Sequence, residues 1–198
     1  MGRRPKDTAR PTKSAILDSA ERAIVQAGYK SLNFRDIAAE VGIKSSSVHY
    51  HFPTKGDLGA AVMCRYRLDF RERLSHPPDD PAGAQDALNQ FLDGFKAEVV
   101  DHDNMSLCVV LLAERNLLDE ATRDELAAFY RMKLDWLSEV VAIVSRGGLA
   151  KDACDREACC ILSALHGASV LVKATGDSAL FENAVHQYRD LASRPVPA

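Results

Sequence analysis

Residues 34–55, read as FRDIAAEVGIKSSSVHYHFPTK, constrain the fold more than any other part of the chain. Their apolar residues recur at helical spacing on both sides of Gly42, which predicts two short helices. Glycine adopts a positive φ at little cost, so Gly42 predicts the tight turn between them. The pattern is that of a helix-turn-helix. Its inward-facing positions are Ile37, Ala38, Val41, Ile43 and Val48.

The outward face of the second predicted helix has an unusual composition. Its side chains are short or flat, carry hydrogen-bonding groups and include no acid. Such a face can approach base edges and phosphates in the major groove without repulsion, so double-stranded DNA is the predicted partner. These positions are Lys44, Ser45, Ser46, Ser47, His49 and Tyr50.

Four short motifs surround this segment. Gly-Tyr stands at 28–29, Asn33 precedes Ile-Ala at 37–38, Gly-Ile follows at 42–43, and HYHFPTKGDL occupies 49–58. In this order the motifs resemble the N-terminal block of TetR-family transcriptional regulators. The resemblance is specific over roughly the first 60 residues. Two positions depart from it, since Ser46 stands where Gly is common and His49 where Tyr is common.

The resemblance implies an all-α fold of about nine helices. A three-helix DNA-binding domain with the helix-turn-helix would occupy residues 1–54, and a helical ligand-binding and dimerisation domain residues 55–198. The implied function is a ligand-responsive transcriptional regulator, a repressor that binds a palindromic operator as a homodimer and leaves it when a small-molecule effector binds. It implies no cofactor.

The same resemblance implies a set of DNA contacts. Base edges would be met by Arg35, Lys44, Ser45, Ser46 and Tyr50, and phosphates by Ser47, His49 and Lys55. The forked guanidinium of Arg35 suits guanine, and Lys55 begins the next helix, near its positive end. The basic residues Arg3, Arg4 and Lys6 are candidates for a flexible arm on the DNA.

Helical spacing continues along the rest of the chain, and strand patterns are absent. Thr54 with Asp57 resembles a capping box, and Asp80 followed by Pro81 predicts another helix start. The predicted helices outside the helix-turn-helix cover residues 13–28, 54–74, 81–99, 105–116, 120–146, 155–175 and 178–192.

The predicted helix at 155–175 is apolar or small nearly all round, so it needs cover on two sides. One side can pack in its own domain, and the other is predicted to meet a second copy of the chain. The small residues Ser163, Ala164, Gly167 and Ala168 permit close approach. A homodimer through the last two helices, forming a four-helix bundle, is therefore expected.

The net charge of −3 is divided unevenly over the 198 residues. Residues 1–75 hold 14 Lys and Arg against 8 Asp and Glu, while the remainder holds 11 against 20, which gives a basic amino end. Five cysteines without C-x-x-C spacing disfavour disulfides and zinc. No signal core or membrane span is predicted, so the expected location is cytoplasmic.

No catalytic motif such as G-x-S-x-G, H-E-x-x-H or a P-loop is present. The expectation is therefore a protein that is not an enzyme, with no catalytic residues and no metal site. Two alternatives from other classes stay open: a helical enzyme, and a protein-binding adaptor without specific DNA binding.

Aromatic side chains in the second predicted domain suggest an effector pocket, although the same spacing is typical of plain core. Lys133 lies one turn from two of these rings. It could neutralise a carboxylate ligand, or it could be a surface lysine whose stem alone is buried. His166 interrupts an apolar helix. The candidate ligand residues are Phe91, Phe95, Cys108, Phe129, Lys133, Trp136 and His166.

Residues 105–114, MSLCVVLLAE, resemble one branch of the family in which Cys-Leu-Cys precedes Leu-Ala-Ala-Glu. Some relatives in that branch sense electrophiles or small unsaturated acids. Here Ser106 replaces the first cysteine, so a two-cysteine switch within the motif is impossible. Cys108 could be a thiol modified by an electrophile, or a buried and inert cysteine.

Overall fold

The computed structural model describes residues 9–98 and 106–193. Within these ranges the regular elements are helices and there is no strand, which confirms the predicted all-α fold. The predicted arm of Arg3, Arg4 and Lys6 lies outside the described residues, as does Val99. The α-helices are α1 (Ala9–Ala27), α2 (Phe34–Val41), α3 (Ser45–His51), α4 (Lys55–Arg73), α5 (Pro81–Lys96), α6 (Leu107–Ala113), α7 (Glu120–Val144), α8 (Lys151–Thr175) and α9 (Ala179–Val185).

The chain divides into two compact units. Unit 1 comprises Met1–Glu72 and Met105–Ala128, and unit 2 comprises Arg73–Asn104 and Phe129–Ala198. Helix α7 contributes its first nine residues to unit 1 and the rest to unit 2. The predicted domain boundary after residue 54 stays a prediction. It divides the chain by function, whereas the two compact units are defined by how the chain packs.

Local capping fixes the helix-turn-helix in unit 1. The side chain of Asn33 accepts a hydrogen bond from the Arg35 amide at 2.9 Å and so begins α2. Gly42 ends α2 with φ 75°, as its place in the sequence predicts. Thr54 and Asp57 form the predicted capping box at the start of α4, since each side chain binds the other residue's amide, at 3.1 and 2.9 Å.

Ion pairs join α1 to its neighbours in unit 1. Glu40 on α2 accepts hydrogen bonds from Ser19 and Arg22 on α1, both at 2.5 Å. Arg65 on α4 donates to Asp18 at 2.6 Å and to Glu21 at 2.7 Å. Most of these side chains are partly solvent-exposed, so water screens the pairs and each contributes little to stability. Their value is to set the orientation of α1 against α2 and α4.

The core of unit 2 is formed by α5, α7, α8 and α9. Asp80 caps α5 by accepting from the Gly83 amide at 2.9 Å, as predicted. The buried side chain of Gln85 binds the carboxy-terminal segment, donating to the carbonyl of Tyr188 at 3.0 Å and accepting from the Ala192 amide at 3.1 Å. The fully buried side chains include Leu88, Leu92, Leu137, Ile161, Leu165 and Phe181.

Three predicted helix bounds differ from the structure by four residues or more. Helix α1 begins at Ala9 and not at 13. Helix α8 begins at Lys151 and not at 155, because its first two residues, Lys151 and Asp152, are charged and exposed and so carry no apolar signal. Ion pairs between residues four apart, Lys151 with Asp155 and Asp152 with Arg156, stabilise the start of α8.

Helix α9 ends at Val185, and the segment predicted to extend it forms two 3₁₀ turns, His186–Tyr188 and Leu191–Ser193. The turns still bury Tyr188, because side chains three residues apart face the same side in both helix types. The apolar pattern could therefore not distinguish them.

Helix α8 is long and apolar enough to cross a membrane by length and composition alone. One face of it packs in the core of unit 2. Core helices of water-soluble proteins meet the same criterion, so the length and composition of α8 alone do not assign it to a membrane.

Candidate nucleic-acid interface and effector site

The outward face of α3 is open to solvent. Tyr50 is 83% exposed, and Lys44, Ser46 and His49 are also exposed, while Ser45 and Ser47 are half-buried. On the opposite side, Val48 is completely buried and holds the helix against the rest of unit 1. Arg35 is exposed on the first turn of α2. The side chains predicted to contact DNA therefore lie on α3 and at its N-cap, on the start of α2 and, for Lys55, on the start of α4. Tyr50 has no core role.

His49 is oriented by its neighbours. Its ring packs edge-on against Phe34 with centroids 4.6 Å apart, and its Nδ1 lies 3.4 Å from the carbonyl oxygen of Pro53. This packing fixes the imidazole beside the start of α2. Its phosphate contact stays a prediction.

Lys55 is turned toward the protein. Its Nζ donates to the carbonyl of Lys30 at 3.1 Å and lies 4.7 Å from the ring centroid of Tyr29. Burial lowers the pKa of the Lys55 ammonium. The predicted phosphate contact of Lys55 is thus untested, and its visible role is to bind the turn after α1.

The Tyr29 cluster, defined as Tyr29, Lys55, Asp119 and Thr122, was not anticipated from the sequence. Tyr29 donates its hydroxyl proton to Asp119 at 3.1 Å, and the Thr122 amide donates to the same carboxylate at 2.9 Å. Burial, reinforced by the Asp119 charge, raises the pKa of Tyr29 to about 12. These bonds fasten the start of α7 to the turn that follows α1.

Two glycines, Gly28 and Gly56, are the sequence feature that could have indicated the Tyr29 cluster. A Cβ at Gly28 would meet the Glu114 carboxylate at 2.7 Å, and one at Gly56 would meet the Asp119 carboxylate at closer range. Glycine at both positions lets the acidic side chains of the α6–α7 connection approach the backbone just after α1 and at the start of α4. Sequence alone could not pair positions so far apart in the chain.

Six of the seven predicted ligand residues come together in unit 2. Lys133 is only 2% exposed, so its interpretation as a surface lysine is wrong. Its Nζ lies 4.9, 5.2 and 5.7 Å from three phenylalanine ring centroids. We refer to the set as the Lys133 cluster. Its members, including the additional Tyr130, are Phe91, Phe95, Phe129, Tyr130, Lys133, Trp136 and His166.

Helix α8 supplies His166 to this cluster. Its ring contacts Phe95 edge-on at 5.3 Å and Tyr130 at 5.4 Å between centroids. The Nε2 atom is buried and has no hydrogen-bond partner in the described part of the chain. Burial, with a smaller contribution from Lys133, lowers the pKa of His166 to about 4. The imidazole is therefore neutral at physiological pH.

This depressed pKa predicts a loss of stability in acid. The unfolded chain takes up a proton at His166 near its ordinary pKa of 6.5, but the folded protein does so only near 4. Stability is therefore complete above pH 6.5 and falls as the pH is lowered toward 4, by about 3 kcal/mol. Urea unfolding of wild type and His166→Gln at several pH values measures the difference. The prediction would be contradicted if acid lowered the free energy of unfolding of both proteins by the same amount.

Cys108 does not belong to this cluster, because it lies in unit 1. It is 2% exposed and shares a hydrogen bond with Ser106, whose Oγ is 3.2 Å from its Sγ. Such burial shields the thiol from reagents in solution. Among the described residues, no group of three or more His, Cys, Asp or Glu side chains is placed to hold a metal ion.

The outer face of α8 remains exposed. Val170 is 64% and Leu171 51% exposed, and Ser163 and Gly167 face solvent on the same helix. Large apolar side chains at this level of exposure mark a surface suited to a partner. Ser163 and Gly167 of the predicted dimer face are thus available in the single chain, whereas Ala168 is buried in the core of unit 2 and Ala164 packs against that core.

Family models match both parts of the chain. Residues 16–62 match the model described as bacterial regulatory proteins of the tetR family. Residues 84–187, more than half of the chain, match the C-terminal domain of LmrA/YxaF-like transcriptional regulators.

Curated relatives match over shorter stretches. The HTH-type transcriptional regulator TtgR of Pseudomonas putida is 31% identical over 105 residues, which are 51% of this chain and 49% of that protein. The HTH-type transcriptional repressor BepR of Brucella suis is 30% identical over 81 residues, or 38% of this chain and 39% of its own length. The chain thus spans half or less of the length of these curated relatives.

Solved structures match over nearly the whole chain. A TetR-family regulator from Agrobacterium tumefaciens has a TM-score of 0.74 and 26% identity, covering 92% of this chain and 98% of that one. The reduced form of NemR from E. coli has a TM-score of 0.80 over 94% of this chain and 100% of its own, and at 18% identity it shows the fold alone. With both family models matched, the chain belongs to the TetR family of transcriptional regulators.

Proposed function

We propose that this protein is a ligand-responsive repressor that binds a palindromic operator through α3. The observation that carries the proposal is the face of α3, where Tyr50 is almost fully exposed and flanked by Lys44, Ser46 and His49. Tyr50 contacts the ring of the neighbouring His51 edge-on at 5.3 Å between centroids, but at 83% exposure most of its ring is not packed against the described residues. Base and sugar contacts would cover that ring. A curated relative, BepR, is named a repressor.

The operator is proposed to be read by a homodimer. The exposed apolar residues Val170 and Leu171 of α8 support pairing with a second copy of the chain, together with α9. A two-fold dimer presents two α3 helices to half-sites about 34–36 Å apart, which is one turn of DNA. The operator would therefore be a palindrome.

Release by an effector follows from linkage. A ligand that binds better to a shape in which the two α3 helices do not fit the half-sites weakens DNA binding by its differential affinity for the two shapes. Helix α7 supports such a response. This one continuous helix carries Thr122 of the Tyr29 cluster and Lys133 of the Lys133 cluster.

Fluorescence anisotropy tests the proposal. Reduced protein is titrated onto labelled DNA from immediately upstream of its own gene, and onto a scrambled fragment of equal length, over a series of salt concentrations. We expect a preference of about a thousandfold or more for the upstream fragment, two chains per fragment, and affinity that falls steeply with salt. Equal, weak binding to both fragments would contradict it and favour the adaptor alternative.

A further inference from the structure

We infer that operator binding takes up a proton at His49, whose imidazole binds a DNA phosphate only in its charged form, an inference that rests on the proposed binding of DNA through α3. The side chain of His49 is exposed in the last turn of α3. Successive residues on a helix point about 100° apart. When Tyr50 points into the groove, His49 therefore points sideways, toward the phosphates of one strand.

One ring nitrogen of His49 is already bound within the protein. Its Nδ1 lies 3.4 Å from the carbonyl oxygen of Pro53, and a carbonyl oxygen only accepts hydrogen bonds, so Nδ1 carries the hydrogen. Phe34 holds the ring in this position, since the two rings pack edge-on with centroids 4.6 Å apart. A neutral imidazole has a single N–H group, and the contact with Pro53 uses it. The other nitrogen, Nε2, is therefore left with a lone pair.

The protonation of Nε2 decides what the ring offers to DNA. A phosphodiester is negatively charged and only accepts hydrogen bonds, so the lone pair of a neutral His49 repels it. A proton from solvent converts that lone pair into an N–H donor and gives the ring a positive charge. The hydrogen bond to phosphate is then charge-assisted and stronger than a neutral one. Operator binding therefore favours the protonated ring and, by reciprocity, protons favour operator binding.

No acidic side chain of the described residues takes the place of the phosphate. The described contacts of His49 are with an aromatic ring and a backbone carbonyl, and neither group is titratable. Asp57, the first acid after α3, is bound to Thr54 in the capping box. No described ion pair joins His49 to the other charged or titratable side chains of α2, α3 and the first turn of α4, which are Arg35, Asp36, Glu40, Lys44, Tyr50, His51, Lys55 and Asp57.

The affinity for the upstream DNA fragment at two pH values provides the first test. Anisotropy is measured at fixed ionic strength, and circular dichroism verifies that the chain is folded at both pH values. We expect wild type to bind about tenfold or more tightly at about pH 6 than at about pH 8, because histidine changes charge in this range and each chain of the dimer takes up a proton. Calorimetry in buffers of different ionisation enthalpy counts these protons, up to about one per chain.

Variants assign the proton to His49. His49→Tyr keeps a hydrogen-bond donor and removes the titration, because a tyrosine hydroxyl stays protonated over this range. Its affinity should change by less than about twofold between the two pH values, and it should take up correspondingly fewer protons on binding. The controls are His51→Gln on the same helix and His76→Gln at an exposed position in unit 2, and both should keep the wild-type pH dependence. Wild-type pH dependence in His49→Tyr, or its loss in His51→Gln, would overturn the inference.

Nuclear magnetic resonance of isotope-labelled histidine side chains observes the two ring nitrogens directly. In the free protein at slightly alkaline pH, His49 should carry hydrogen on Nδ1 alone, and in the DNA complex at the same pH both nitrogens should be protonated. A neutral His49 with its hydrogen on Nε2 would refute the inference. Protein that prefers the upstream fragment equally at both pH values retains the proposed function and refutes the proton uptake. Protein that prefers that fragment at neither pH refutes both.

Discussion

Replacement of Gly59 by leucine is expected to lower the free energy of unfolding by roughly 3 kcal/mol, near the top of the usual range for overpacking. Gly59 is buried on α4. A Cβ there would lie 2.8 Å from Cε2 of Tyr29 and 2.9 Å from Oγ1 of Thr122. Tyr29 cannot move away cheaply, because its hydroxyl binds Asp119 and its ring lies under Lys55.

Gly94 provides the control for this result. It lies in the interior of α5, where an added Cβ meets no atom within 4 Å. Gly94→Ala should therefore raise the free energy of unfolding by about 0.5–1 kcal/mol, through helix propensity and a less flexible unfolded chain. Urea unfolding followed by circular dichroism measures both variants. A change of the same sign at both glycines would contradict the packing account of Gly59.

Tyr50→Ala is expected to weaken operator binding at least about thirtyfold, because a dimer loses the contact twice and each base contact contributes about 1–3 kcal/mol. The free energy of unfolding should stay within about 0.5 kcal/mol of wild type, as is usual at exposed positions. Anisotropy on the operator and urea unfolding measure the two quantities.

Two further variants show what causes the loss of operator affinity. Tyr50→Phe keeps the ring and removes the hydroxyl, so it separates stacking from hydrogen bonding. Leu112→Ala removes an exposed apolar side chain from α6 and should leave operator affinity unchanged. Wild-type affinity in Tyr50→Ala would refute the assignment of α3 as the recognition helix.

Features encoded within one helical turn could be predicted from the sequence. Gly42 requires a positive φ, and the short side chains of Asn33, Thr54 and Asp80 bind amides two or three residues ahead. Such signals depend on no distant partner. They were sufficient to predict the turn of the helix-turn-helix and the starts of α4 and α5.

Features that depend on distant partners could not be predicted. The hydrogen bond from Tyr29 to Asp119 joins residues 90 positions apart, and the glycines at 28 and 56 do not identify Asp119 as the partner. The burial of Lys133 is similar, since a lysine between aromatic positions on one helix can point to solvent or to the core. Only the packing of α5 beside α7 decided between these orientations.

Trp136 is the only tryptophan in the chain, and it lies in unit 2. Its indole packs on Phe91 and is hydrogen-bonded to Ser75, both in the same unit. The fluorescence of Trp136, excited selectively, therefore reports on unit 2 alone. Far-ultraviolet circular dichroism reports on the helices of both units. Comparing the two signals along one denaturation curve shows, without any label, whether unit 1 and unit 2 unfold in a single cooperative transition.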